Sequence, residues 1–88
     1  MDYTIKTNQG EVVVEKASQQ LNDRLIDELV ALRKEMSLTQ QDIADKTGIN
    51  RANVARIENK KHITSMEVLV KYANCVDKDL QICLVDRK

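Results

Sequence analysis

The stretch Gln40-Gln-Asp-Ile-Ala-Asp-Lys-Thr-Gly-Ile-Asn-Arg-Ala-Asn-Val-Ala-Arg-Ile-Glu-Asn59 decides the fold of this 88-residue chain. A capping box begins its first helix: Thr39 caps the helix, and Asp42 stands where Glu is usual. This helix is predicted to run to about Lys46 and to end at Gly48, because glycine tolerates the positive φ of a tight turn. Asn50 then caps a second helix, which extends through Asn59.

Close packing of these two helices accounts for the small and apolar residues in the stretch. Ala44 must be small because the second helix crosses it, and larger apolar side chains must fill the space between the helices. We predict these contacts at Ile43, Ala44, Ile49, Val54 and Ile57. In this arrangement the second helix projects from the domain, where it can enter a major groove of DNA.

Helical periodicity continues on both sides of the stretch. Ser18 is predicted to cap a preceding helix with one apolar stripe, formed by Leu21, Leu25, Leu29, Leu32 and Met36. After a polar link, Thr64-Ser-Met-Glu67 reads as a second capping box. The helix that it opens is predicted to be apolar at Met66, Leu69, Val70 and Ala73.

Both ends of the chain favour β-structure. Alternation from Tyr3 to Thr7, the turn signal Asn8-Gln9-Gly10 and the β-branched run Val12–Val14 predict a short hairpin, with a frayed arm as the alternative. Leu80, Ile82 and Leu84 alternate in a predicted C-terminal strand. We therefore expect one compact, mainly α domain, with a hairpin or arm (1–17), a bundle of about four helices (18–76) and a terminal strand (77–88).

Composition disfavours several classes of protein. The chain has two Tyr and no Phe or Trp, which argues against a surface that stacks single-stranded bases. It contains no apolar run long enough to span a membrane, and residues 1–10 lack the apolar core of a signal peptide, so we expect a cytoplasmic protein. Cys75 and Cys83 are predicted to be buried thiols. We expect no enzyme, no metal site and no cofactor, because no suitable group of side chains is present.

Charge is balanced in total but not along the chain. Lys and Arg number 14, as do Asp and Glu. Residues 1–32 hold three basic and six acidic residues, whereas residues 33–61 hold seven basic and four acidic. Phosphate binding depends on a local basic face rather than on net charge, so the middle segment is compatible with DNA as a partner.

The stretch 40–59 resembles the helix-turn-helix of the lambda-repressor-like, or XRE, family. The matching positions are Gln40, Ile43, Ala44, Gly48, Ile49, Val54, Ile57, Glu58 and Asn59. The resemblance extends over about residues 24–75. It implies a lambda-repressor-like bundle that binds double-stranded DNA.

The resemblance implies that four residues of the second motif helix face the bases: Asn50, Arg51, Ala52 and Arg56. Arg51 is the best candidate for a bidentate contact to guanine, and Ala52 can touch only a thymine methyl group. Asn50 has the alternative of acting only as a helix cap. Arg56 has the alternatives of binding phosphate or lying on a solvated face.

The resemblance also implies phosphate contacts and one structural ion pair. The expected phosphate contacts are Gln40, Asn59, Lys60 and Lys61, although Gln40 has the alternative of a solvated helix start. Such contacts position a protein on DNA without reading its sequence. Arg33 and Glu58 are expected to form a buried ion pair between helices, and loss of one partner would cost roughly 3–5 kcal/mol.

The C-terminal segment departs from the family, in which many members end in a fifth helix that supports dimerisation. A lone strand is unstable in water, so Leu80, Ile82 and Leu84 are predicted to pair with the N-terminal segment, with a second copy, or with both. This ending is similar to HipB-type antitoxins and, more loosely, to HigA-type antitoxins, which repress their own operon and bind a toxin. The sequence thus predicts a homodimeric repressor, either stand-alone or paired with a toxin. A protein-interaction module that no longer binds DNA is the alternative.

Overall fold

A computed structural model describes residues 4–7 and 10–86 of the chain, with side chains described for residues 16–86. Strands β1 (Thr4–Thr7) and β2 (Gly10–Val13) pair antiparallel, with Thr4 opposite Val13. Four helices follow: α1 (Val14–Glu35), α2 (Gln40–Thr47), α3 (Arg51–Glu58) and α4 (Met66–Cys75). The prediction of a mainly helical domain of about four helices is confirmed. Tyr3 and the predicted turn residues Asn8 and Gln9 lie outside the described residues.

Local sequence signals set the boundaries of α2 and α3 as predicted. The Asp42 backbone N–H donates to Thr39 Oγ1 at 3.1 Å, and the Thr39 N–H donates to Asp42 Oδ2 at 2.8 Å, which completes the capping box. Gly48 ends α2 at φ 78°, where its N–H donates to the Ala44 carbonyl. Asn50 Oδ1 accepts the Asn53 N–H at 2.9 Å and so caps α3. These short-range bonds fix the turn between the two helices.

The core lies where all four helices meet. Its largest fully buried side chains are Ile26, Ile43, Val54, Tyr72 and Val76. Ala44 is buried beside them, as the close crossing of α2 and α3 requires. Leu38, Ile49 and Leu69 pack around the edge of this cluster. The apolar positions predicted in the motif therefore do form the contact between its helices.

The start of α1 was predicted wrongly, and its buried face was predicted only in part: Leu29 is buried, and Leu25 and Leu32 pack against the core. The helix begins at Val14 rather than after a cap at Ser18. Leu21 is 65% exposed and Met36 lies beyond the last helical residue, so neither belongs to the core. Asn22 and Arg33 are buried instead, because each has hydrogen-bond partners on the opposite elements. The buried face of α1 is therefore rotated by about one residue from the stripe predicted from leucine spacing.

The start of α4 also differs from the prediction. Ser65, not Thr64, is the N-cap, with its Oγ accepting the Val68 N–H. Thr64 is buried, and its own backbone N–H donates to Asn22. Met66 and Val70 were predicted to face the core but are exposed. The core face of α4 is formed by Tyr72, Ala73 and Cys75.

The predicted C-terminal strand is not present. Residues 78–86 have no regular secondary structure. Leu80 packs at the edge of the core, whereas Ile82 and Leu84 are exposed. Alternation makes a strand only where a neighbouring strand completes the hydrogen-bond ladder, and no described strand pairs with this segment.

Cys75 is buried as predicted, but the prediction of a buried Cys83 was wrong, because Cys83 lies exposed on the C-terminal tail, residues 78–86. Within the described residues, no helix combines the length and the apolar character needed to cross a membrane.

Candidate nucleic-acid interface

The outer face of α3 is polar and open to solvent. Val54 and Ile57 point into the core, whereas Arg51, Ala52 and Arg56 are exposed. Successive residues turn by about 100° around a helix axis, which places Ala52 between two guanidinium groups roughly 140° apart. The centre of this face is therefore small and both flanks are cationic.

An open groove of about 570 Å³ runs along one flank of α3, between this helix and the start of α4. Asn50, Asn53 and Arg56 line it from α3, and Ser65 and His62 from the opposite side. Asn53 was not singled out from the sequence. Its spacing of three residues from both Asn50 and Arg56 is the signal that would have placed it on the same helix flank.

The other flank of α3 meets the first turn of α2. Arg51 lines a shallow cleft together with Gln40 and Gln41, and Arg33 lines the same cleft. The structure therefore brings together Arg51, a predicted base-contacting residue, and Gln40, a predicted phosphate-contacting residue. A polyanion that lies along this flank of α3 would contact both Arg51 and Gln40.

A buried ion pair fixes the base of α3. Arg33 Nε donates to Glu58 Oε2 and a second guanidinium nitrogen to Glu58 Oε1, both at 2.9 Å. A third Arg33 nitrogen donates to the Leu38 carbonyl at 2.8 Å. Arg33 is only 8% exposed, and the two-point geometry leaves little freedom to either side chain. The pair thus joins the last residue of α3 to α1.

Glu58 has two further donors. Gln40 Nε2 donates to its Oε1 at 3.1 Å, and the Tyr72 hydroxyl donates to its Oε2 at 2.7 Å. Burial alone would raise the pKa of Glu58, but the bonds from Arg33, Tyr72 and Gln40 outweigh it and hold this pKa below its ordinary value. Burial, followed by the bond to Glu58, raises the pKa of Tyr72. Glu58 is therefore a stable carboxylate that fixes the amide of Gln40.

The link between α3 and α4, residues 59–65, carries the remaining predicted phosphate contacts. Asn59 caps the C-terminus of α3, and Asn59 and Lys61 are both exposed. Lys60 adopts φ 59°, and its Nζ lies 2.6 Å from Asp27 Oδ1 on α1. Its hydrogen bond to Asp27 raises the pKa of Lys60. Of the two lysines, Lys61 therefore presents its charge to solvent, whereas Lys60 is engaged with α1.

The described side chains hold no group of three or more His, Cys, Asp or Glu residues placed to bind a metal ion. Arg51, Arg56, Asn50 and Asn53 bring cationic and amide groups to the exposed side of α3. Such groups can bind anions and donate hydrogen bonds to base edges.

Two helices joined at an αL glycine, with the second exposing a polar, cation-flanked face, define a helix-turn-helix protein. A helix-turn-helix family matches residues 29–82, and the chain belongs to this family, in the XRE-type form predicted from its sequence. It is similar to two curated proteins, each named antitoxin HigA1, from Mycobacterium tuberculosis strains CDC 1551 / Oshkosh and ATCC 25618 / H37Rv. Identity to each is 33% over 61 residues, which is 69% of this chain and 41% of the relative. The chain thus spans about two fifths of the length of these relatives. No solved structure gives a significant match.

Proposed function

We propose that the protein is a sequence-specific DNA-binding transcriptional repressor that places α3 in the major groove. The observation that carries this proposal is the exposed face of α3, with Ala52 at its centre and Arg51 and Arg56 on its flanks. A small residue lets the helix approach the base edges closely, while the two guanidinium groups reach outward. The Arg33–Glu58 pair holds the end of α3 in place for this contact.

Base reading falls to Arg51, Arg56, Ala52 and Asn50 in this proposal. Arg51 is assigned a bidentate contact to guanine, and Ala52 contact with a thymine methyl group. The two alternatives for Asn50 are compatible, because its Oδ1 caps α3 while its NH₂ group remains a donor. Asn50 is therefore expected to donate to an acceptor on DNA, rather than to pair with adenine through both amide atoms.

Phosphate contacts are assigned to Gln40, Asn59, Lys60 and Lys61. The bond between Gln40 Nε2 and Glu58 orients the amide and uses one of its two N–H groups, which leaves the other for a phosphate oxygen. Asn59 and Lys61 are exposed beside the end of α3. These contacts supply affinity that falls with salt, because each neutralised phosphate releases counterions.

The active form is proposed to be a homodimer on a palindromic operator. The C-terminal tail exposes Ile82, Leu84 and Val85, and Leu80 anchors the start of this tail to the core. Contact between two such tails would remove these apolar side chains from water in a two-fold arrangement. Two recognition helices would then meet half-sites about 34 Å apart.

A second candidate function is that of an antitoxin, alone or together with repression. The likeness to two proteins named antitoxin HigA1 favours it, although this chain spans only 41% of their length. The excess of acidic residues in positions 1–32 is suited to a basic toxin as partner. A binding role rather than catalysis is common to both candidates.

The decisive test measures binding to the promoter region upstream of the protein's own gene over a range of salt concentrations. Arg51→Ala should weaken operator binding by about 1–3 kcal/mol and relax discrimination at one base pair. Arg24→Ala is the matched control, because it removes the same charge from an exposed position on α1. Equal loss on operator and random DNA would reject base reading by Arg51. Absence of wild-type binding at low salt would reject the DNA-binding function and favour an interaction module.

A further inference from the structure

The first half of α1 holds the link between α3 and α4. Gln19 Nε2 donates to the Lys60 carbonyl at 3.3 Å, and the buried Asn22 accepts the Thr64 backbone N–H through its Oδ1 at 2.8 Å. Asn22 also donates to the His62 carbonyl at 3.4 Å. The backbone of the link is therefore attached to α1 at three alternate residues, 60, 62 and 64.

One side chain of the link is attached to α1 as well. Lys60 Nζ lies 2.6 Å from Asp27 Oδ1, with 34% of the lysine side chain and 64% of the aspartate side chain exposed. Both groups are open to water, so this bond can break and re-form without a change in the core. The aspartate occupies the anion position on a lysine that we have assigned to a DNA phosphate.

We propose that Asp27 sets the affinity of the protein for DNA by competing with a backbone phosphate for Lys60. This inference rests on the proposed DNA-binding function. A carboxylate and a phosphate repel one another, so a phosphate that approaches Lys60 must displace Asp27 or bind beside its negative charge. Lys60 therefore contributes less to DNA binding than the exposed Lys61.

The fixed backbone determines how the exchange occurs. The Lys60 carbonyl is bonded to Gln19, and the residue already holds φ 59° at the end of α3. Only the side-chain torsions of Lys60 need to change for its amine to leave Asp27. The exchange thus requires no refolding of the link, and it leaves Asn59 and Lys61 in place.

The test compares Asp27→Asn with Glu28→Gln on the same DNA. Glu28 is the matched control, because it is exposed, adjacent on α1, and pairs with no lysine or arginine among the described residues. Asp27→Asn should tighten binding by about 1.4- to five-fold, the range expected for loss of a surface ion pair. It should also steepen the salt dependence by up to about 0.9 in logarithmic slope, the value of one phosphate contact. Glu28→Gln should change neither quantity by a comparable amount.

The double variant Asp27→Asn/Lys60→Ala separates competition from a general charge effect. If Asp27 acts through Lys60, its substitution has no effect once the lysine is absent. Equal tightening by Asp27→Asn and Glu28→Gln, or tightening that persists without Lys60, would overturn the inference while leaving the DNA-binding function intact. Failure of the wild type to bind DNA would instead reject the proposed function and this inference together. Thermal unfolding of each variant checks that the fold is unchanged.

Discussion

The Tyr72 hydroxyl donates a hydrogen bond to Glu58 Oε2 across 2.7 Å, joining α4 to the last residue of α3. Tyr72 is 1% exposed, so this bond is closed to water. Tyr72→Phe keeps the ring in the core but removes one donor from a buried carboxylate. We expect the free energy of unfolding to fall by about 1–3 kcal/mol, as measured by urea denaturation. An unchanged midpoint would show that Glu58 does not need this donor.

The same carboxylate gives stability a dependence on pH. Hydrogen bonds from Arg33, Tyr72 and Gln40 outweigh burial and hold the pKa of Glu58 below 4.5 in the folded state. Its contribution is therefore complete above the pKa of the unfolded chain, and it is lost as the pH falls through the lower folded pKa. Acid titration of the melting temperature should show a steeper decline for the wild type than for Glu58→Gln.

Asp42→Asn is the comparison for that titration. The backbone N–H of Thr39 lowers the pKa of Asp42, but this carboxylate is exposed at the start of α2. The Asp42→Asn variant should therefore keep most of the fall in melting temperature that the wild type shows at acid pH. An acid profile that Glu58→Gln does not flatten would assign the dependence to other carboxylates.

The two residues before α4 should respond to substitution in opposite directions. Ser65→Ala removes the N-cap and should destabilise the protein by about 1 kcal/mol. Thr64→Val should be neutral or stabilising by about 1 kcal/mol, because the buried Thr64 hydroxyl has no partner among the described residues. Chemical denaturation of both variants decides between the caps. A large loss for Thr64→Val would restore Thr64 as the cap that the sequence predicted.

Gly48 is required for its backbone conformation rather than for space. It holds φ 78°, and a Cβ placed on it would meet nothing within 4 Å. Gly48→Ala should therefore cost about 1–2 kcal/mol in strain, and Gly48→Asn should cost less, since Asn tolerates this region better. Calorimetric unfolding of both variants tests the order. Equal losses would mean that something other than φ sets the cost.

The tail should determine the oligomeric state. Leu84 is fully exposed, so Leu84→Asp leaves the core untouched but places a charge in the proposed contact between two copies. Sedimentation should show a monomer for this variant. Gln81→Asp is the matched control, because it adds the same charge to an exposed tail position outside the predicted apolar alternation. A dimer that survives Leu84→Asp would place the interface elsewhere.

Short-range signals made α2 and α3 predictable from the sequence. Thr39, Gly48 and Asn50 each act through bonds to residues no more than four positions away, so their patterns carry the whole geometry. Contacts between residues far apart in the chain could not be predicted from the sequence. Asn22 is buried because of Thr64, 42 residues away, and no periodicity predicts a polar residue in the core.

In the candidate site too, features set by local sequence could be predicted, whereas contacts between distant residues could not. Exposure of Arg51 and Arg56 follows from helix geometry once α3 is placed, and this could be predicted. The bond from Lys60 to Asp27 spans 33 residues and could not. The terminal alternation at Leu80, Ile82 and Leu84 predicted a strand, but a strand also needs a ladder partner that its own sequence does not specify.

Glu58 accepts hydrogen bonds from one residue on each of the other three helices, and this bears on how α3 reaches its target. Unfolding of α3 alone would leave Arg33 buried without its partner charge. The backbone amide protons of α3 should therefore exchange only through global unfolding. In the proposed complex with DNA, α3 is therefore fully formed before the two molecules meet. Association can proceed as rigid docking, without an entropy cost for ordering the helix.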